Sequence, residues 1–191
     1  VTTLTAAAAI MLTGAQPQDI RPTIAILPAM NASGERWQEL KDRQCAKIDS
    51  YLEKEFSGRG FTVVPKRDIE ASIAKHRFDF MDEEDHKKAN FYQVAEDVKA
   101  DYVFFPLVTS TEQGYQDRDA YRDREGRCDV KVWFLKVSDR ETILASRNFA
   151  GRSGGLRITL KPSDRQIQAA ENAVRDSLEE GMKLYKRFAT K

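Results

Sequence analysis

One five-residue segment has the pattern of a catalytic serine. Residues 151–155, Gly-Arg-Ser-Gly-Gly, form a G-x-S-x-G motif, the nucleophile elbow of α/β-hydrolases. An elbow continues directly into a helix, and its general base is a histidine later in the chain. Here the residues after Ser153 alternate in polarity up to Pro162, and both histidines, His76 and His86, come earlier. We interpret the segment as a glycine turn at the end of a strand, with a serine hydrolase using Ser153 as the alternative.

A second group of residues has side chains that can bind metal ions. Asp82, Glu83, Glu84, Asp85 and His86 offer carboxylate and imidazole ligands. Consecutive residues of a helix point in different directions and do not converge on one ion, whereas acidic residues stabilise a helix N-terminus. We therefore predict the acidic start of a helix and no metal site. Phosphate-loop and dinucleotide-binding motifs are missing from the sequence, so we also predict no cofactor.

The segment from Glu112 to Arg127 is a candidate binding region. It carries five acidic and four basic residues but only two sizeable apolar groups, both tyrosines. A loop of this length between neighbouring strands is uncommon in a compact domain, so it is either a solvated excursion or a partner-binding arm. Tyr and Arg are enriched at interface hot spots, and the mixed charge disfavours nucleic acid. The candidate partner-binding residues are Tyr115, Arg118, Tyr121, Arg122 and Arg124.

The elements that position these residues follow the order β-α-β-α-α-β-β-β-α. Apolar runs at 23–27 and 102–109 predict strands buried on both faces, and 61–64 predicts a short strand. Alternation over 129–137 and 142–149 predicts an antiparallel hairpin. Apolar residues at helical spacing predict four helices, which begin near Trp37, Asp68, Asp82 and Ser163.

Helix-separated strands are normally parallel and turn-separated strands antiparallel, so these patterns together predict an α/β fold. We expect a mixed sheet of about five strands with helices packed on it. The alternating residues 156–160 are a candidate sixth strand.

Length and composition indicate one folded domain. The chain has 191 residues, of which 41% are hydrophobic and 32% charged, with a formal net charge of +1. This composition excludes a disordered chain, and the balanced charge gives no sign of a nucleic acid partner. No apolar run is long enough to span a membrane. We assign residues 17–191 to a single domain with a charged excursion at 112–127.

The first 16 residues have the features of an export signal. Leu4 to Leu12 is an uncharged apolar stretch, and Thr13-Gly14-Ala15 supplies small residues for cleavage. An Ala-rich helix docked on the domain is the alternative. No Cys follows the apolar stretch, so a lipoprotein anchor is not indicated, and we predict a periplasmic or secreted protein.

Export would place the two cysteines, Cys45 and Cys128, in an oxidising compartment where a disulfide can form. Cys45 also lies on the apolar stripe of a predicted helix. Two buried small hydrophobic residues are therefore an equal alternative to a disulfide.

Several segments together resemble a group of bacterial envelope proteins. They are I-A-I-L-P at 24–28, G-F-T-V-V at 60–64 with R-D-I-E-A-S-I at 67–73, A-D-Y-V-F-F-P-L-V-T at 100–109, and V-K-V-W-F-L-K-V at 130–137 with E-T-I-L-A-S at 141–146. In order and spacing they are similar to the CsgG-like group, which includes TolB N-terminal-like domains and penicillin-binding-protein activator lipoproteins. Ala29, Lys99, Pro106 and Asp139-Arg140 depart from that pattern, which makes the relationship distant.

The resemblance implies a fold similar to the anticodon-binding domain, used in the envelope without catalytic residues. The predicted function is an exported module that binds or helps assemble another envelope component, with a protein as its partner. A nucleotide- or RNA-binding module remains an alternative by fold analogy alone.

Overall fold

The chain folds into a mixed β-sheet with helices on both faces. The computed structural model describes residues 21–118, 121–153 and 162–189, with side chains for all of these except 114–118, 121–124, 162 and 188–189. The predictions of an export signal at 1–16 and of a strand at 156–160 lie outside the described residues.

The order of helices and strands agrees with the prediction, with one added short strand. The strands are β1 (Thr23–Ile26), β2 (Met30–Asn31), β3 (Thr62–Val63), β4 (Tyr102–Arg118), β5 (Tyr121–Lys136) and β6 (Thr142–Ser153). The helices are α1 (Gln38–Gly58), α2 (Lys66–His76), α3 (Lys88–Asp97) and α4 (Pro162–Ala189). The mixed α/β fold class is therefore confirmed.

The third helix begins later than the sequence predicts. The acidic residues form a separate 3₁₀ turn, Glu83–Asp85, and α3 starts at Lys88. The Asp82 carboxylate accepts a hydrogen bond from the Glu84 N–H at 2.9 Å and so caps this turn. The acidic residues thus stabilise a helical N-terminus, as expected, but a short one.

The strand directions follow from the connections. The sheet order is β3-β1-β4-β5-β6, and β2 pairs with β4 beyond the end of β1. The strands β1, β2 and β3 run parallel to their neighbours, whereas β4, β5 and β6 form an antiparallel meander. Right-handed helical crossovers connect parallel strands and tight turns connect antiparallel ones, which explains why element order predicted this topology.

Pro106 is accommodated at the change of neighbour along β4. The Phe104 carbonyl accepts from Leu27 N–H, and the Val108 carbonyl accepts from Ala32 N–H, both at 2.9 Å. Pro106 lies midway between these two residues, so its peptide groups point to the same side of β4 as theirs. The side on which Pro106 lacks an N–H donor therefore faces the gap between β1 and β2. The pairing with β5 therefore loses no hydrogen bond.

Two apolar layers hold the helices to the sheet. One layer lies between the sheet and helices α1 and α4 and includes Phe56, Phe104, Phe134 and Leu178. The other lies beneath α2 and α3 and includes Phe80, Phe91, Phe105 and Trp133. Successive β4 residues thus enter opposite layers, which explains the continuous apolar run that the sequence showed. Burying one Phe side chain stabilises the fold by about 1.5–3 kcal/mol.

Candidate interaction site at the base of the long hairpin

The charged segment 112–127 is part of a long hairpin rather than an irregular excursion, which corrects that prediction. β4 and β5 pair continuously out to Arg118 opposite Tyr121. The pairing sets Glu112 opposite Arg127 and Asp117 opposite Arg122. Opposite charges at facing positions stabilise antiparallel strands, so this charge pattern favours a hairpin.

The five candidate partner-binding residues all lie on this hairpin. Tyr115 is paired with Arg124, Arg118 with Tyr121, and Arg122 with Asp117. Their role in binding stays a prediction.

A groove lies at the base of the hairpin, where the loop before α1 runs beside β4. We call it the hairpin groove; it is lined by residues 34–37 and 109–112 and has a volume of about 440 Å³. Trp37 forms one wall and is 70% exposed, unlike the apolar residues of α1 that enter the core. Its backbone is fixed, because its carbonyl accepts from Leu40 N–H at 3.0 Å and its N–H donates to the Glu35 carboxylate at 3.1 Å.

Trp37 therefore lies just before the helix that the sequence predicts to begin near it, and not on the inward apolar stripe of that helix. Helix α1 begins one residue later, at Gln38. Trp37 caps the helix in an extended conformation, and its indole lies outside the helical repeat.

A buried polar network supports the groove from below. The Asn31 amide donates to Gln44 Oε1 at 2.7 Å, and Gln44 Nε2 donates to the Gln166 carbonyl at 3.2 Å and to Thr111 Oγ1 at 3.4 Å. Asn31 Oδ1 also accepts from Ser33 N–H at 3.0 Å. Buried polar groups are costly unless they are paired, so this network ties the loop, α1, α4 and β4 into one geometry.

A buried carboxylate lies further along the hairpin. Glu125 is 3% exposed, and neither carboxylate oxygen has a hydrogen-bond partner among the described residues. Arg152 Nε and Arg127 Nη2 lie 3.6 Å and 3.7 Å from its oxygens. These two cations compensate a charge that would otherwise be costly to bury.

Ser153 is the last residue of β6 and is buried, an arrangement that does not support the serine hydrolase alternative. It is a buried residue of β6 whose Oγ accepts a hydrogen bond from Gly126 N–H at 3.1 Å. Gly151 is a close-packing position, because a Cβ there would lie 2.0 Å from the Ala169 carbonyl of α4. Residues 142–153 are therefore a strand that packs against α4, and the rest of the predicted glycine turn, residues 154 and 155, lies outside the described residues.

Both histidines lie on the other side of the sheet from Ser153. His86 packs its ring on Phe105 and Trp133 in the layer beneath α2 and α3, whereas Gly151 and Ser153 face α4. Alternate residues of a strand share a face, which places Ser153 with Gly151. Among the described residues, no cluster of His, Cys, Asp and Glu could hold a metal ion.

The two cysteines are free thiols that pack in the same apolar layer. Cys45 is half-buried and Cys128 is buried. Burial raises the pKa of Cys45 to about 11 and the pKa of Cys128 to about 12. A disulfide between them stays a prediction, and in the thiol form neither is an activated nucleophile.

A larger cavity of about 600 Å³ lies at the other end of the sheet, between β3, α2 and the end of α3. The Asp97 carboxylate at its wall accepts hydrogen bonds from Lys75, His76 and Ser72 at distances of 2.8–3.1 Å. These bonds lower the pKa of Asp97 to about 2. Gln93 Nε2 lies 3.0 Å from His76 Nδ1. Both ring nitrogens are therefore engaged in structural contacts.

Within the described part of the chain, no helix combines the length and apolar character needed to cross a membrane.

Comparison with known proteins supports the fold. No family model and no curated protein matches the chain. The solved structure of lipoprotein GNA1162 from Neisseria meningitidis has 15% identity and a TM-score of 0.51, with 83% of this chain and 98% of that chain covered. At this identity the similarity establishes the fold alone.

Two LpoB C-terminal domains are more distant. The domain from Salmonella enterica has 11% identity and a TM-score of 0.45, covering 69% of this chain and 82% of that one. The domain from Escherichia coli has 12% identity and the same TM-score, covering 75% and 90%. The more specific resemblance to CsgG-like and TolB N-terminal-like domains stays a prediction.

Proposed function

We propose that this protein is an exported, non-catalytic module of the bacterial cell envelope. It binds or helps assemble another envelope protein through the hairpin groove and the part of the hairpin beyond it. We call that part, residues 113–118 and 121–126, the distal hairpin. The distal residues of this surface are Tyr115, Arg118, Tyr121, Arg122 and Arg124.

The exposed indole of Trp37 is the observation that carries this proposal. Trp is the residue type most enriched at interface hot spots, and its burial in a partner pocket contributes more than that of most side chains. Here it forms the wall of a groove and is held by backbone hydrogen bonds at Leu40 and Glu35. A rigid anchor loses little conformational entropy on binding.

The hairpin extends this surface with a rim of mixed charge. Interfaces typically combine an aromatic anchor with a polar rim that excludes water. The balanced charge of 112–127 fits a protein partner better than a polyanion, which would require a net basic surface.

The envelope location is supported by two observations of different kinds. The sequence begins with a stretch typical of an export signal, and the fold is that of a protein described as a lipoprotein.

Site-specific photocrosslinking in intact cells tests the proposal. A photoreactive amino acid is placed at Trp37 or at Tyr121, and the matched control is Arg67, which is 90% exposed on α2. We expect positions 37 and 121 to yield the same envelope-protein adduct and position 67 not to. Trp37→Ala should reduce the adduct formed from position 121 by about tenfold or more, as for a hot-spot residue.

Failure to form an adduct at positions 37 and 121, or equal adducts at position 67, would overturn the proposal. The melting temperature of each variant is measured as a control, and a value equal to that of wild type excludes unfolding as the cause of a lost adduct.

A further inference from the structure

Among the described residues, no strand pairs with the outer edge of β4 along the distal hairpin. β1 and β2 cover β4 only as far as Val108, whose carbonyl accepts from Ala32 N–H. From residue 109 to Arg118, no described strand lies on that side, while β5 pairs the other edge. A row of free N–H and C=O groups is a template for another strand.

The ladder identifies which peptide groups face outward. Lys136 directs its N–H toward β6 and Val137 directs its N–H toward the β4 side. Peptide groups alternate in direction along a strand, so the odd-numbered residues of β5 form their hydrogen bonds with β4. Beyond the bulge at 108–110, these β5 residues pair with the even-numbered β4 residues Ser110 to Gln116. The odd-numbered residues of β4 therefore point their N–H and C=O groups away from β5: Thr111, Gln113, Tyr115 and Asp117.

This edge has no proline to block strand addition. Residues 109–118 contain no Pro and no Lys, and their charged residues are Glu112, Asp117 and Arg118, which can pair with opposite charges on an added strand. The bulge lies at the base of the stretch, between Val108 and Ser110, and the pairing beyond it is regular.

We propose that a second copy of this chain adds to the β4 edge, in an antiparallel two-fold pairing centred on Tyr115. This inference rests on the proposed binding role of the hairpin, and it identifies a second copy of this chain as one partner of the hairpin. In this register Glu112 lies directly opposite the partner's Arg118, and symmetry repeats the pair. Gln113 lies opposite the partner's Asp117, so the two-fold pairing sets no like charges against each other.

Neighbouring registers lack this complementarity. A two-fold axis at Gln113 sets Glu112 opposite the partner's Gly114, and an axis at Asp117 sets two aspartates opposite each other. Only the axis at Tyr115 pairs the acid with the base. Because Glu112 also lines the hairpin groove, the end of the partner's β4 then reaches the groove beside Trp37.

Charge exchange and sedimentation velocity test this register on the full chain between about 1 and 100 µM. We expect Glu112→Arg and Arg118→Glu each to weaken the dimer about tenfold, because each places two like-charge pairs across the axis. The double variant should restore the dimer to within about threefold of wild type. Because Glu112→Arg also sets two arginines opposite each other at 112 and 127 within the hairpin, the far-UV spectrum and melting temperature of both variants that carry it must match wild type. The matched control Arg67→Glu should leave association unchanged.

Gln113→Pro provides a second variant. Its N–H faces outward, so the substitution blocks the edge without removing a bond to β5. The variant should be monomeric with an unchanged far-UV spectrum.

A wild-type chain that is monomeric at 100 µM overturns the dimer, and a double variant that is not restored overturns this register. A monomer that still forms Trp37-dependent adducts in cells would leave the proposed function standing. A dimer without such adducts would refute the proposed function alone.

Discussion

Substituting Gly151 by Ala tests how closely α4 packs on the sheet. The added Cβ would lie 2.0 Å from the Ala169 carbonyl oxygen and 2.6 Å from the Ala173 nitrogen, and both atoms belong to the helix backbone. An ordinary contact is about 3.5 Å, so α4 would have to move away by more than about 1 Å. Overpacking costs about 1–3 kcal/mol, and a rigid backbone neighbour places Gly151→Ala at about 3 kcal/mol or more.

Thermal and urea unfolding measure this cost. For a domain of this size, 3 kcal/mol corresponds to a fall of roughly 6–12 °C in the melting temperature. The control is Gly58→Ala at the end of α1, where a Cβ meets nothing within 4 Å. Ala has the higher helix propensity, so this variant should be neutral or more stable by up to about 1 kcal/mol. If Gly151→Ala unfolds within about 0.5 kcal/mol of wild type, the close approach of α4 is refuted.

Three further outcomes follow from the described contacts. Hydrogen bonds from Lys75, His76 and Ser72 lower the pKa of Asp97 from an ordinary value of 3.8 to about 2. The ionised Asp97 therefore stabilises the folded state above pH 3.8, and this stabilisation is lost as the pH falls through about 2. Melting curves from pH 2 to 7 should therefore be flatter for Asp97→Asn, and an unchanged pH dependence would contradict this. Cys128 should react slowly with iodoacetamide at pH 8 until the chain unfolds, because burial raises the pKa of its thiol. If the chain unfolded in denaturant without reductant shows no free thiol, Cys128 instead forms a disulfide with Cys45. Gln44→Leu leaves buried polar partners unpaired and should cost about 1–3 kcal/mol in urea unfolding, whereas a neutral result would show that the network adds no stability.

The hairpin shows what a local pattern could have predicted. Glu112 with Arg127 and Asp117 with Arg122 are symmetric about the same point in the chain, as cross-strand pairs must be. That symmetry is present in the sequence, whereas the high charge of 112–127 taken alone predicts a solvated excursion or a partner-binding arm. Charged residues are compatible with a strand when opposite charges lie at facing positions, as these two pairs do.

Trp37 and Gly151 show what a local pattern could not predict. The apolar repeat of α1 includes Trp37, and only the point at which the helix begins moves its indole to the surface. Gly151 lies in the G-x-S-x-G motif, which indicates a nucleophile elbow only when a helix follows it directly. The approach of α4, which is distant along the chain, makes it a packing position.

The sequence by itself determined the element order, the two-sided burial of β1 and β4, and the strand directions. These properties depend on side-chain periodicity and on the length of the connections, both of which are local. The tertiary structure alone decided that Ser153 is buried beneath α4 and that both histidines lie across the sheet from it. It alone also decided that no described strand covers the outer edge of β4 beyond Val108, beside Trp37. These properties depend on which distant segments meet, because burial and the pairing of a strand edge are set by neighbours that are far away in the chain.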